Sequence, residues 1–300
     1  MSSPGGIYYT VAAYAAWGLL PVYWKAMYQV PAHEILAHRM LWCLPFVLVL
    51  LAARGDLRDL FQAIRDRGVM LTLLFTASLL TLNWYLYIWA VSFDRIVDAS
   101  LGYFINPLLT VLLGVFFLGE RPRIWQWASI FLAFTGVLYL ALVYGAFPWI
   151  GLGLALTFGF YALIRKTATP GSLKGLTIET TYLFLPALVY LLRLESSGSA
   201  AFGHGGLKIS ILLASTGVVT IIPLLIFAVG IRQTTLTTVG LLQYIAPTLQ
   251  FLIGVLVYFE PVSPTRLTGF AIIWVALGVF SIEGMLHTRQ KIQATNKTKQ

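Results

Sequence analysis

Runs of apolar residues, each bounded by a short polar or charged stretch, recur ten times along the 300 residues. Crossing the hydrocarbon core of a bilayer as a helix takes about 20 predominantly apolar residues, the length of most of these runs. In the first half the predicted spans are Gly6 to Met27, His33 to Ala53, Val69 to Ser92, Val97 to Leu118 and Ile124 to Tyr144. In the second half they are Pro148 to Ile164, Thr177 to Leu192, Lys208 to Ile231, Leu236 to Phe259 and Pro264 to Leu286, the sixth and seventh being short. The pattern predicts an all-α membrane protein with ten transmembrane helices.

A repeat lies beneath this pattern. At a shift of 140 residues, Leu101 to Glu120 aligns without gaps on Leu241 to Glu260, and eight of the 20 positions are identical. Apolar composition alone yields leucine matches, but it does not readily align Pro107 with Pro247, Gly114 with Gly254 and Glu120 with Glu260. A shift of 141 pairs Gly18 with Gly159, Lys25 with Lys166 and Pro45 with Pro186. Each half holds an odd number of spans, so the second copy enters the membrane from the opposite side, which is an inverted-topology repeat. The expected units are a first five-helix repeat over residues 6–144, a second over 148–287, and a basic cytoplasmic tail over 288–300. Architectures of this kind bind a small molecule near the midplane, between the halves.

Composition agrees with a bilayer as the solvent: 59% of residues are hydrophobic and only 10% are charged, against roughly 25% in soluble domains. The formal charge of +9 is not gathered into a basic domain with interleaved aromatics, so nucleic acid is not an expected partner. Lysine and arginine instead follow the loops. With ten spans, 14 of the 20 fall on the side shared by both termini, which predicts that both are cytoplasmic. The first apolar stretch has no basic leader before it and is expected to act as an uncleaved anchor. The one cysteine, Cys43, excludes an intrachain disulfide.

Polar residues and prolines within spans mark the faces turned away from lipid. Tyr103, Pro107, Thr110 and Gly114 share one stripe of the fourth span, with Asn106 beside it, and their mates Gln243, Pro247, Gln250 and Gly254 form the same stripe in the ninth. Tyr14, Gly18, Pro21 and Lys25 repeat the pattern in the first span, and Asn83 and Tyr87 lie one turn apart in the third. Glu34, His38 and Arg39 open the second span, where ionisable groups are costly to bury. Glu34 and His38 are one turn apart and able to pair. The repeat mate of His38 is Glu179, placing opposite charges where they could face each other across the pseudo-two-fold axis, unless Glu179 is a solvated helix-start acid, the reading given to Asp98. Glu120 and Glu260 end the fourth and ninth spans in structural roles. The candidate substrate-binding residues are Lys25, His38, Arg39, Asn83, Tyr103, Asn106 and Gln243, with Pro107, Pro247, Gly114 and Gly254 as hinge or packing positions.

No catalytic or metal site is expected. His33 and His38 flank Glu34 much as in a zincin helix, but they are five residues apart, about 500° of helical rotation, and diverge. No nucleophile elbow or phosphate-cradling glycine loop is present, so neither a cofactor nor a nucleotide-driven pump is implied, and an ion gradient or the substrate's own gradient would supply the driving force.

The segments AYAAWGLLPVYWK (Ala13 to Lys25), EILAHRMLW (Glu34 to Trp42), NWYLYIWAV (Asn83 to Val91), SLGYFINPL (Ser100 to Leu108) and LLQYIAPTLQF (Leu241 to Phe251) closely resemble the RarD group of the EamA family, in the drug/metabolite transporter superfamily. The resemblance implies a ten-helix inverted-repeat carrier of the bacterial inner membrane, from a group whose label links it to chloramphenicol. Its partners would be the lipid bilayer, a small-molecule substrate and a coupling ion. Lys25 and Arg39, with Tyr14, Trp84, Tyr87 and Tyr103, favour an amphipathic cargo bearing an anionic or strongly hydrogen-bonding group. The expected function is secondary export of small amphipathic metabolites or drugs by alternating access. A non-transporting membrane receptor or assembly factor is the alternative, disfavoured because no loop or tail is large enough for an output domain.

Overall fold

A computed structural model of the chain describes residues 3–55, 57–92, 96–144, 147–259 and 264–297. Glu260, the side chain of Asp98 and the side chains of the 288–300 tail lie outside the described residues. Within them every regular element is a helix: α1 (Pro4–Lys25), α2 (Ala32–Ala53), α3 (Leu57–Arg65), α4 (Arg67–Ser92), α5 (Ile96–Leu118), α6 (Ile124–Tyr144), α7 (Trp149–Thr167), α8 (Ser172–Ser196), α9 (Leu207–Arg232), α10 (Leu236–Gln243), α11 (Ile245–Leu256) and α12 (Pro264–Lys297).

Local chemistry sets several of these boundaries. Ser3 accepts a hydrogen bond from the Gly6 amide at 2.9 Å and Pro4 follows at the first helical position, where its missing N–H costs nothing. Thr235 caps α10 through the Thr238 amide at 3.2 Å.

Among the described residues, seven segments are long and apolar enough to cross a membrane: α2, α4, α6, α8, α9, α10 with α11, and α12. α1, rich in Tyr, Gly and Pro, and the shorter apolar stretches of α5 and α7 stand beside them in the bundle. The seventh predicted span proves longer than its apolar run, because Ser172 to Leu176 and Arg193 to Ser196 extend α8.

Two further differences from the sequence reading have physical causes. The ninth span is broken between α10 and α11 at Tyr244, three residues before Pro247, whose ring nitrogen cannot donate to the Gln243 carbonyl. The Tyr244 hydroxyl donates instead to the Phe104 carbonyl of α5 at 3.0 Å. The stretch after Arg54, read as loop, contains α3, which places Leu57, Phe61 and Ile64 on one face.

The helices interleave. α1 packs on α9 and α11, α7 packs on α4 and α5, and α2 lies against both α8 and α9 while α8 also meets α4. The α5–α10 and α6–α12 pairs complete the bundle. Glycine permits a close crossing of α10 on α5: a Cβ on Gly240 would lie 2.5 Å from the Pro107 carbonyl oxygen. Large side chains such as Phe116, Phe131 and Leu142 remain exposed, an outer surface suited to lipid.

Candidate functional site

A cavity of about 530 Å³ lies among α1, α2, α4, α5, α7 and the α10–α11 junction. Its lining comes from the C-terminal halves of α1 and α4 and the N-terminal halves of α2, α5 and α7, with residues around the helix break. All of these lie toward the end of the bundle where α1 stops and α2 begins. Tyr87 and Tyr103, both lining residues, are 39% and 40% exposed, so the cavity opens at that end.

Of the seven candidate binding residues, five converge on it: Arg39, Asn83, Tyr103, Asn106 and Gln243. Asn83 donates to the Leu154 carbonyl and to Thr157 Oγ1, both at 2.9 Å, and so ties α4 to α7 beside the space. Buried Asn106 lies one turn from Thr110, whose hydroxyl donates to the Asn106 carbonyl at 2.9 Å. Gln243 is 7% exposed, and its Oε1 has no hydrogen-bond partner; the same is true of the Tyr14 hydroxyl, another buried group on the wall. Pro247 lines the cavity, Pro107 is buried at the α5–α10 crossing, and Gly254 is partly exposed on α11.

Arg39 is held on three sides. Its Nε donates to Thr220 Oγ1 at 3.0 Å, and its guanidinium carbon lies 4.9 Å from the ring centroids of both Trp24 and Trp84. Such cation–π contacts strengthen as water is removed. Trp24 and Thr220 were not legible as site residues, although Tyr14, Trp17, Pro21 and Trp24 fall at i, i+3, i+7 and i+10, one face of α1. No carboxylate lines the cavity among the described residues.

Lys25 and His38 are not part of the lining. Lys25 Nζ sits 3.4 Å above the Tyr258 ring, just beyond the end of α11. His38 turns away from the cavity: Trp42 Nε1 donates to its Nδ1 at 3.2 Å, its Nε2 is 3.9 Å from Glu34, and its ring lies 5.0 Å from that of Phe202. Glu34 is buried and accepts the Ala201 amide at 2.7 Å, holding the α8–α9 connection.

The other end of the bundle is closed by a polar layer. Lys166 Nζ donates to the carbonyls of Ile231, at 3.0 Å, and Thr234. An Arg232 nitrogen reaches the Ala168 carbonyl at 2.6 Å. Glu120 receives the amides of Leu236 and Thr237 at 2.6 and 2.8 Å and the Thr237 hydroxyl at 2.8 Å. It therefore caps α10 of the second half, where the positive helix terminus favours a carboxylate. Gly114 leaves room for it, since a Cβ there would lie 2.8 Å from Glu120 Oε2. Glu179 neither faces His38 nor meets solvent. It is fully buried, 3.5 Å from Arg165 Nε, and accepts the Thr76 hydroxyl at 2.5 Å. Among the described residues no group of three or more His, Cys, Asp or Glu side chains is placed to hold a metal.

The arrangement is a solvent-accessible chamber with several aromatic lining residues and, among the described residues, one cation, closed at one end. Among the described residues, no nucleophile–base pair lines it. Comparisons agree. The profile of the EamA-like transporter family matches residues 4–142. Protein RarD of Streptomyces exfoliatus is 46% identical over 288 residues, covering 95% of this chain and 90% of the relative. Protein RarD of Escherichia coli K12 is 40% identical, covering 95% and 96%. The chloramphenicol-sensitive protein RarD of Pseudomonas aeruginosa is 29% identical, covering 91% and 92%. One crystal structure at 18% identity shares the fold, with a TM-score of 0.71 over 94% of this chain and 98% of the other. With such identity kept along nearly its whole length, the chain is a multi-pass membrane protein that belongs to the RarD group of the EamA-like transporter family.

Proposed function

We propose that the chain is a secondary carrier that exports small amphipathic metabolites or drugs across the bacterial inner membrane by alternating access. The observation that carries this reading is the cavity, which draws its walls from both halves of the chain, opens at one end and is sealed at the other. A channel would need both ends open, and an enzyme would need reacting groups on the wall.

In this reading the membrane is crossed ten times, by α1, α2 and α4 to α9, by α10 with α11 as one broken span, and by α12. Residues 6–144 and 148–287 are the inverted halves, and rocking of one against the other exposes the site to each side in turn. The packing supports that symmetry: exchanging each helix for its repeat mate turns the α1–α9 contact into α7–α4 and the α1–α11 contact into α7–α5. The 14 to 6 distribution of basic residues supports cytoplasmic termini and a cytoplasmic 288–300 tail, and the cavity then faces the periplasm. Trp17, Trp24, Trp84 and Phe158 favour a ring-bearing cargo. The name of the Pseudomonas aeruginosa relative, a chloramphenicol-sensitive protein, fits an aromatic amphipathic molecule.

Purified protein in liposomes, given a panel of labelled metabolites and drugs under imposed proton and sodium gradients, tests the reading. Protein-dependent flux of at least one compound is expected, and a complete absence of flux would overturn it.

A further inference from the structure

The cavity wall carries one formal charge among the described residues, that of Arg39, and the acids within the bundle that could offset it are engaged elsewhere. Glu34 accepts the Ala201 amide, Glu120 caps α10, and Glu179 is bound by Arg165 and Thr76. The guanidinium is fixed through Nε by Thr220 and lies between the rings of Trp24 and Trp84. Its two terminal nitrogens take no hydrogen bond and no carboxylate among the described residues. An arginine held in this way presents a preset, planar pair of donors, the partner geometry of a carboxylate. Nearby, the Tyr14 hydroxyl and Gln243 Oε1 are buried and unpartnered, a donor and an acceptor at the same site.

We propose that a bound organic carboxylate is what allows this cavity to close, so that export of one amphipathic carboxylate is coupled, one for one, to the entry of another. The proposal rests on the carrier reading. To change the side on which it opens, the cavity must pass through a closed state from which most water has left. A guanidinium stripped of water and of any counter-charge is costly in that state. The tryptophan faces offset part of this cost, but a ring quadrupole is a weaker partner than an opposite full charge.

The empty closed state is therefore disfavoured and the carboxylate-filled one is not. After release on the far side, the return passage meets the same requirement, and a second carboxylate satisfies it. The apolar body of such a ligand rests on Trp17, Phe158 and Pro247, while an amide N–H on it can meet Gln243 Oε1.

The test uses the full chain in liposomes with labelled N-acetyl-phenylalanine, an aromatic carboxylate with an amide N–H, and its neutral isostere N-acetyl-phenylalaninamide. Efflux of the labelled acid is expected to be about tenfold faster, or more, into medium containing unlabelled acid than into medium lacking it. Efflux of the amide should show no such acceleration. Arg39→Gln should bring the ratio for the acid toward one. If that variant does not fold, the ratio in the unaltered protein still decides. Equal efflux of the acid with and without external acid overturns exchange while leaving the carrier reading intact. Flux of the amide alone removes the carboxylate subsite, and absence of protein-dependent flux of both compounds overturns the proposal and counts against the carrier reading as well.

Discussion

Lys25 and Lys166, equivalent under the 141-residue shift, end in opposite situations: Lys166 donates to the carbonyls of Ile231 and Thr234, whereas Lys25 lies over the ring of Tyr258. One copy ties its helix end to the α9–α10 connection of its own half, at the sealed end of the bundle. The other sits on an aromatic face at the open end. Equivalent residues in unequal surroundings are what an inverted repeat produces when one side is closed and the other open.

Lys166→Met should therefore loosen the sealed end. In a Cys43→Ala background, a cysteine replacing the fully buried Thr10 is expected to react several-fold faster with a membrane-impermeant thiol reagent added on the side of the termini. An unchanged labelling rate would show that Lys166 has no part in the seal.

The open end makes a graded prediction. Tyr103 is 40% exposed and Gln243 only 7%, although both line the cavity. Cysteines at these positions should both be modified from the side on which α1 ends, Tyr103→Cys much faster, and a transported compound should protect both. Modification of either from the opposite side alone would contradict the placement of the opening.

The periodicity of polar residues revealed the stripe but not its extent. Tyr103, Gln243, Pro247 and Gln250 reach the cavity, while Thr110 and Gly114 lie on the same faces beyond it, because a stripe follows the whole helix and the cavity occupies only half of its length. His38 and Arg39 are adjacent in sequence but about 100° apart on α2, so one turns to Phe202 and the other to the cavity. Pro247 signalled a weak point in the ninth span. The accompanying contact of the Tyr244 hydroxyl with the Phe104 carbonyl, 140 residues away, is one that no local pattern encodes. The helix α3 was within reach, since Leu57, Leu60, Phe61 and Ile64 fall at i, i+3, i+4 and i+7; a search for long apolar runs passes over it.

Glu120 joins the end of the fourth predicted span to the start of the ninth through two amides and a hydroxyl. Glu120→Gln keeps one acceptor oxygen, removes the charge at the α10 terminus, and is expected to cost about 1–3 kcal/mol. Thr237→Val, which deletes one of the three donors, should cost less. Thermal unfolding in detergent should rank the two in that order, and equal midpoints for Glu120→Gln and the unaltered protein would deny the cap.

Glu34 makes a prediction about motion. Its carboxylate holds the Ala201 amide at 2.7 Å in the connection between α8 and α9. Glu34→Ala should leave that amide without its buried acceptor, so hydrogen exchange across residues 200–206 is expected to accelerate while exchange in the middle of α9 stays slow. Acceleration of both together would indicate general unfolding rather than release of this connection.

The last prediction concerns Arg165 and Glu179, which are 1% and 0% exposed. Their ion pair joins α7 to α8, and Thr76 of α4 adds a hydrogen bond to the same carboxylate oxygen. Removing one member leaves the other as a buried charge without its partner, which typically costs about 3–5 kcal/mol, whereas replacing both by neutral groups of similar size is often close to neutral. Arg165→Met and Glu179→Gln should each lower the unfolding midpoint strongly, and the double variant should recover most of the loss. The comparison separates the two roles a buried pair can have. If the double variant is as stable as the unaltered protein but slower in transport, the pair serves to hold the sealed end in register during the cycle. If instead the two losses simply add in the double variant, the interaction energy between the two side chains is small, and the cost of each substitution comes from lost packing around Thr76 and Gly175.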